Sequence, residues 1–169
     1  MRKEIQLAGF GGQGIVLSGL ILGEAAILDG LNAVQTQSYG PESRGGAARS
    51  DVIISDSAID YPKVVSPDIL VVLSQPAYDK YRGRVGKKTM LIIDSDLVQC
   101  DDAALGVPFS RMADELGRRI VANVIMLGTL AKVSGCVTRD SLERAVLKNI
   151  PKGTEELNLK ALEAGFRST

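Results

Sequence analysis

The sequence predicts an α/β fold, a three-layer sandwich built on a mostly parallel or mixed sheet. Three observations predict it. An apolar run, Ile5 to Ala8, passes through Gly9-Phe10-Gly11-Gly12-Gln13-Gly14 into a long apolar helical stretch, a Rossmann-like strand, glycine turn and helix. Asp68 to Ser74 and Thr89 to Asp94 hold unbroken apolar runs, as strands covered on both faces do. Strand patterns fill the first half of the chain and helical patterns the second. The 169 residues fit one domain, 1–169. A chain of that size buries roughly 70% of its unfolded surface and needs no disulfide staples.

The elements follow in order. Ile5–Ala8 is the first strand. The helix from Gly14 or Ile15 to about Asp29 is apolar nearly all round, which predicts burial on most sides, and Gly30 is its stop. Asn32 to Thr36 reads as a second strand, a parallel neighbour of the first, and Ala47 to Ser55 as a third. Asp60-Tyr61-Pro62 turns the chain. Gln75 to Arg84 is a short helix with an early Pro76, and Lys80, Arg82, Arg84, Lys87 and Lys88 read as its solvated face. The stretch from Asp94 to Phe109 has no clear pattern. Helices are expected over Ser110–Arg119 and Ala122–Ser134. Two more run over Arg139–Asn149, capped by Thr138, and Glu155–Ala164, closed by Gly165.

Gly9, Gly11 and Gly14 fit G-x-G-x-x-G. Glycines let a backbone take positive φ and let another group come close. The first amides of the following helix lack intrahelical partners, and the helix dipole adds about half a positive charge there. The loop suits a phosphate, pyrophosphate or carboxylate, or it is only a tight turn. Gly11 and Gly12 are expected to take strained angles or close contacts. A second glycine-rich segment, Gly40-Pro41-Glu42-Ser43-Arg44-Gly45-Gly46, brings an arginine toward the same end of the sheet. Arg44 there either meets an anion with the Gly12–Gly14 amides or pairs with Glu42 or Asp51.

Twenty basic residues balance twenty acidic ones, so charge makes no case for nucleic acid or an anionic membrane. The start, Met-Arg-Lys-Glu followed by a strand, leaves no room for a signal peptide, and the longest apolar helix is too short to span a bilayer. A cytoplasmic chain with reduced thiols is expected. The absence of histidine removes the commonest general base and the Ser-His-Asp triad. Cys100 and Cys136 are isolated, so the chain cannot ligate an iron–sulfur cluster alone. No Walker lysine closes the glycine loop. A dinucleotide site needs an acid at the end of the second strand, but that strand ends in Thr36-Gln37-Ser38.

Four segments together resemble a known family. They are Gly9 to Gly14, Ser38-Tyr39-Gly40-Pro41-Glu42-Ser43-Arg44-Gly45-Gly46, Ile59 to Pro62, and Pro151 to Leu162. From Lys3 to Phe166 the chain resembles the gamma subunit of 2-oxoacid:ferredoxin oxidoreductases, in the forms named for 2-oxoglutarate or branched-chain 2-oxoacids. The resemblance implies membership of a complex that decarboxylates a 2-oxoacid oxidatively and joins the acyl group to coenzyme A. Thiamine diphosphate would sit between alpha and beta subunits, and iron–sulfur clusters on beta or a small delta subunit. Ferredoxin would take the electrons. The gamma subunit would bind no cofactor alone and supply no catalytic residue or metal ligand, but cover the active site. Its coenzyme A or anion loops would be Gly9, Gly11, Gly12, Gln13, Gly14, Ser43 and Arg44. Partner contacts are expected at Tyr39, Pro41, Glu42 and Tyr61, the rings flanking the second loop, with a homodimer when isolated. The other reading kept open is a stand-alone phosphate-ligand or nucleotide-binding protein.

Overall fold

The computed structural model describes residues 1–38 and 47–169. One six-stranded sheet runs in the order β2-β3-β1-β4-β5-β6. Its strands are β1 (Arg2–Gly9), β2 (Asn32–Ser38), β3 (Ala48–Ser55), β4 (Ile69–Val72), β5 (Met90–Asp94) and β6 (Leu105–Val107). The helices are α1 (Ile15–Leu28), α2 (Gln75–Tyr81), α3 (Phe109–Glu115), α4 (Ala122–Ser134), α5 (Arg139–Lys148) and α6 (Glu155–Arg167). Short 3-10 turns follow α2 (Arg82–Arg84) and precede α4 (Arg119–Val121).

The sheet is mixed. β3 lies antiparallel between β1 and β2, while β4, β5 and β6 continue parallel from β1. The expectation that the first two strands are neighbours is therefore corrected. The reason is in the side chains. β3 carries Val52, Ile53 and Ile54, buried on both faces, and needs neighbours on both sides. β2, Asn-Ala-Val-Gln-Thr-Gln-Ser, is polar enough for an edge.

Alternation divides the core. Ile5, Leu7, Val52, Ile54, Ile69, Val71 and Ile92 face α1 and α3 to α6. Ala8, Leu70, Val72, Leu91 and Ile93 face α2 through Ala77, Tyr78 and Tyr81. The layers are thus unequal, with α2 the one helix of the second face among the described residues.

Several element readings are corrected. α1 is buried on most sides, but one stripe, Leu17, Leu20, Ile27 and Leu28, stays exposed. α2 stops at Tyr81. α3 stops at Glu115, because Gly117 turns the chain at φ +100°. β6, three residues long, lies in the stretch that showed no pattern. Arg84 leaves the solvated face and donates to Gln6 Oε1 (2.8 Å) and Val64 O (3.3 Å). α6 runs through Gly165 instead of ending there. A Cβ at Gly128 would press on Gly165 Cα (3.1 Å) and Phe166 N (3.2 Å), so these two glycines let α4 and α6 cross in contact. Thr129 Oγ1 donates to Gly165 O at 3.1 Å in the same crossing.

The Thr138 cap is present, its hydroxyl accepting from Ser141 N at 3.3 Å. Asp29, just past α1, accepts from Thr138 N (2.7 Å), Thr138 Oγ1 (2.6 Å) and Ser141 Oγ (2.6 Å). Burial disfavours its charge, but these hydrogen bonds outweigh that and hold the carboxyl below its ordinary value.

Candidate functional site

β1 feeds α1 on one face of the sheet, and its neighbour β4 feeds α2 on the other. Ligands of open α/β sheets bind outside the strand carboxyl ends at such a switch point. A cleft of about 570 Å³ opens there, between the glycine turn, Leu73 after β4, Asp94 at the end of β5, and Ser110, Arg119 and Ile120. A second cavity of about 290 Å³ adjoins the turn through Gly14, Ile15, Leu17, Ala48, Ile120 and Asn123.

Gln13 buckles the turn. Its Oε1 accepts from Phe10 N (2.6 Å), and its Nε2 donates to Leu73 O (3.0 Å), tying the loop to the end of β4. Gly12 (φ +94°) and Gly14 (φ +74°) take the left-handed region. Gly11 does not, and a Cβ there meets nothing within 4 Å. The expected strain thus falls on Gly12 and Gly14. A Cβ on Gly14 would also collide with the carboxamide of Asn123. α1 then begins without a side-chain cap, and α4 begins the same way one residue before Asn123. The first-turn amides of α1 lack intrahelical partners, whereas Ala122 N at the head of α4 already bonds to Arg119 O in the preceding 3-10 turn.

Asn123 adds to the α1 amides. It is 5% exposed, lines the second cavity, and makes no side-chain hydrogen bond among the described residues. Sequence reading passed it over. Its one signal was a carboxamide at the head of an otherwise apolar helix, Ala-Asn-Val-Ile-Met-Leu.

The other polar lining is already engaged. Asp94, 1% exposed, accepts from Ser110 N (3.0 Å), Ser110 Oγ (2.7 Å) and Asp96 N (3.1 Å). Arg119 grips Asp114 with two bonds, 3.1 and 2.6 Å, and holds that carboxyl below its ordinary range. Phe10, Leu97 and Ile120 form an exposed apolar rim. No group of three or more His, Cys, Asp or Glu fit to hold a metal occurs among the described residues.

Of the site residues read from sequence, Gly9, Gly11, Gly12, Gln13 and Gly14 come together here. Ser43 and Arg44, with Tyr39, Pro41 and Glu42, lie outside the described residues. The chain leaves β2 at Ser38 and re-enters β3 at Ala48, whose strand partners are Arg49 and Gly9 respectively. That segment therefore starts and ends at the glycine-turn end of the sheet. Tyr61 does not flank those anchors. Its carbonyl accepts from Arg2 Nη2 (3.0 Å) at the opposite end of β1, and its side chain is exposed.

The buckled glycine turn thus stands between the switch-point cleft and a second cavity lined by Asn123, at the strand carboxyl ends of an α/β sheet. Residues 4–168 match the family model for pyruvate ferredoxin/flavodoxin oxidoreductase. The chain is 53% identical to the 2-oxoglutarate synthase subunit KorC of Methanocaldococcus jannaschii, over 98% of this chain and 93% of that one. It matches the crystal structure of a keto/oxoacid ferredoxin oxidoreductase gamma subunit from Geobacter sulfurreducens with a TM-score of 0.89 and 42% identity, over 98% and 97% of the two chains. It shares its fold (TM-score 0.87, 20% identity, 98% of this chain and 30% of that one) with a 2-oxoglutarate:ferredoxin oxidoreductase from Magnetococcus marinus, solved with 2-oxoglutarate, coenzyme A and succinyl-CoA bound. The chain belongs to the pyruvate ferredoxin/flavodoxin oxidoreductase family.

No described helix is long and apolar enough to cross a membrane.

Proposed function

We propose that this chain is the gamma subunit of a cytoplasmic 2-oxoglutarate:ferredoxin oxidoreductase, and that its crevice holds the phosphate-bearing part of coenzyme A. The KorC relatives support the complex and the 2-oxoacid. The anion role rests on one observation: the buried, unpartnered carboxamide of Asn123 beside the uncapped start of α1. A diphosphate fits that donor set, since amides and a carboxamide offer hydrogen bonds without a fixed charge to be neutralised. Coenzyme A, when bound, supplies the thiol that takes the acyl group. The residues of this chain orient it: the Gly11 and Gly12 backbone allows close approach, Gln13 fixes the turn, and Asn123 donates from the floor. Ser43 and Arg44 belong to the same reading as partners for the outer phosphate oxygens.

Thiamine diphosphate and the iron–sulfur clusters are assigned to alpha, beta and delta subunits, and ferredoxin to the assembled complex. This chain's donor set does not suit an iron–sulfur cluster: it has no histidine and only two cysteines, Cys100 and Cys136. The apolar rim at Phe10, Leu97 and Ile120 suits docking against those subunits, which would close the crevice.

The test is co-expression with alpha, beta and delta subunits, followed by 2-oxoglutarate- and coenzyme A-dependent viologen reduction. Activity that requires this chain, with a raised KM for coenzyme A in Asn123→Ala, supports the proposal. Full activity without the chain overturns the subunit assignment. An unchanged KM overturns the anion role. A nucleotide copurifying with the isolated chain would favour the stand-alone binding protein.

A further inference from the structure

Four buried side-chain atoms have no hydrogen-bond partner among the described residues: Gln6 Nε2, Arg49 Nε, Asp51 Oδ1 and Tyr81 Oη. They belong to one cluster on the α2 face of the sheet. Gln6 shares that face with Ala8 by strand alternation. Asp51 and Arg49 are the register partners of Gln6 and Ala8 across β1 and β3, so their side chains stand on the same face. Arg49 Nε lies 3.6 Å from Asp51 Oδ2, close for charge but too long for a hydrogen bond. The Arg49 guanidinium sits 5.7 Å from the centre of the Tyr81 ring, and Arg84 joins the cluster by donating to Gln6 Oε1 at 2.8 Å. Gln6 is 0% exposed, and Asp51 and Tyr81 are each 5% exposed. An unpaired buried polar group is rare in a native protein, because it has lost its water and gained nothing in return.

We propose that this cluster is a binding site for an internal water molecule, bridging β1, β3 and the end of α2. The chemistry of the four atoms selects the occupant. Gln6 Nε2 and Arg49 Nε only donate, Asp51 Oδ1 accepts when ionised, and the Tyr81 hydroxyl does either. A water accepts two hydrogen bonds and donates two, which answers two N–H groups, a carboxylate oxygen and a phenol oxygen together. An anion would suit the two N–H groups but face the Asp51 carboxylate. A metal cation would suit Asp51 but face those N–H groups and the charges of Arg49 and Arg84. The four residues line neither cavity at the glycine turn, so the site stands apart from the proposed function.

A high-resolution crystal structure of the full chain tests it, together with urea unfolding of Tyr81→Phe, which keeps the ring and removes the hydroxyl. Density for a water within about 3.2 Å of at least three of the four atoms is expected. Tyr81→Phe should then lower the folding equilibrium constant about fivefold, since one bridge is lost. Direct pairing of the four atoms with one another, or with another side chain of this chain, overturns the inference. So does density for an ion or a larger solute, or a cluster with no density between its atoms. A Tyr81→Phe chain more stable than the parent overturns it as well, because removing a dry, unpaired hydroxyl relieves the folded state.

Discussion

Replacing Asn123 with leucine separates a ligand-binding carboxamide from a structural one, because the two roles move stability and function in different directions. The side chain is 5% exposed and makes no hydrogen bond to the described protein. Its neighbours around the second cavity are mostly apolar, among them Ile15, Leu17 and Ile120. Leucine has nearly the same volume, loses no protein hydrogen bond and gains apolar contact. The isolated chain should therefore hold its stability or gain up to about 1 kcal/mol. For this chain length that is an upward Tm shift of no more than about 4 °C. On the proposed reading, the same change in the assembled complex removes a donor from an ionised phosphate. A hydrogen bond to a charged group contributes about 1.5–3 kcal/mol, roughly ten- to hundredfold in the KM for coenzyme A. The assays are thermal unfolding of the chain alone and steady-state viologen reduction by the complex. A fall in Tm of more than about 3 °C would show that the amide bonds to the protein after all. An unchanged KM would mean that the anion never reaches α4.

Gly12→Ala should cost about 1–2 kcal/mol in urea unfolding, because alanine must adopt φ +94°, whereas Gly11→Ala, with open space and an ordinary φ, should stay within about 0.5 kcal/mol. Asp51 is buried, and burial raises its carboxyl pKa against the pull of Arg49 and Arg84. A raised folded-state value favours folding below the unfolded-state value and loses that advantage as pH rises through the folded one. Asp51→Asn should therefore be the more stable protein at pH 7, with the gap closing as the pH falls toward the ordinary carboxylate value of 3.8. Asp29 has the opposite sign: its lowered value stabilises above 3.8 and is lost at lower pH, so Asp29→Asn should cost stability at pH 7 and little in stronger acid. Chemical denaturation across pH checks both. Gly165→Val should unfold the chain at markedly lower urea, since its Cβ would run into the Ile125 carbonyl of α4.

Local chemistry was legible in the sequence where one segment decides it alone. The turn into α1, the stop at Gly30, the Thr138 cap and the buried runs of β4 and β5 all come from residues adjacent in the chain. Strand order was not legible, because the place of β3 between β1 and β2 depends on pairing across the chain. The hexapeptide did not say which glycine takes a positive φ; the hold of Gln13 on Phe10 and Leu73 decides that. Asn123 enters the site only when α4 packs against Gly14, more than a hundred positions away in sequence. Gly165 reads as a helix stop until Gly128 stands opposite it.

The β2–β3 hairpin has a consequence for how such a site can change. Its two rails are locked by a continuous ladder from Asn32↔Ser55 to Ser38↔Arg49, and the connection between them begins and ends beside the glycine turn. Doubling the length of a connection whose ends are already fixed costs only about 0.6 kcal/mol. The connection can therefore be lengthened, shortened or rewritten while the rails stay in register. The floor has no such latitude, since any side chain at Gly14 strikes Asn123. On the proposed reading, the turn is a rigid anchor for the constant part of a ligand, and differences in specificity between related chains should map to the connection between β2 and β3.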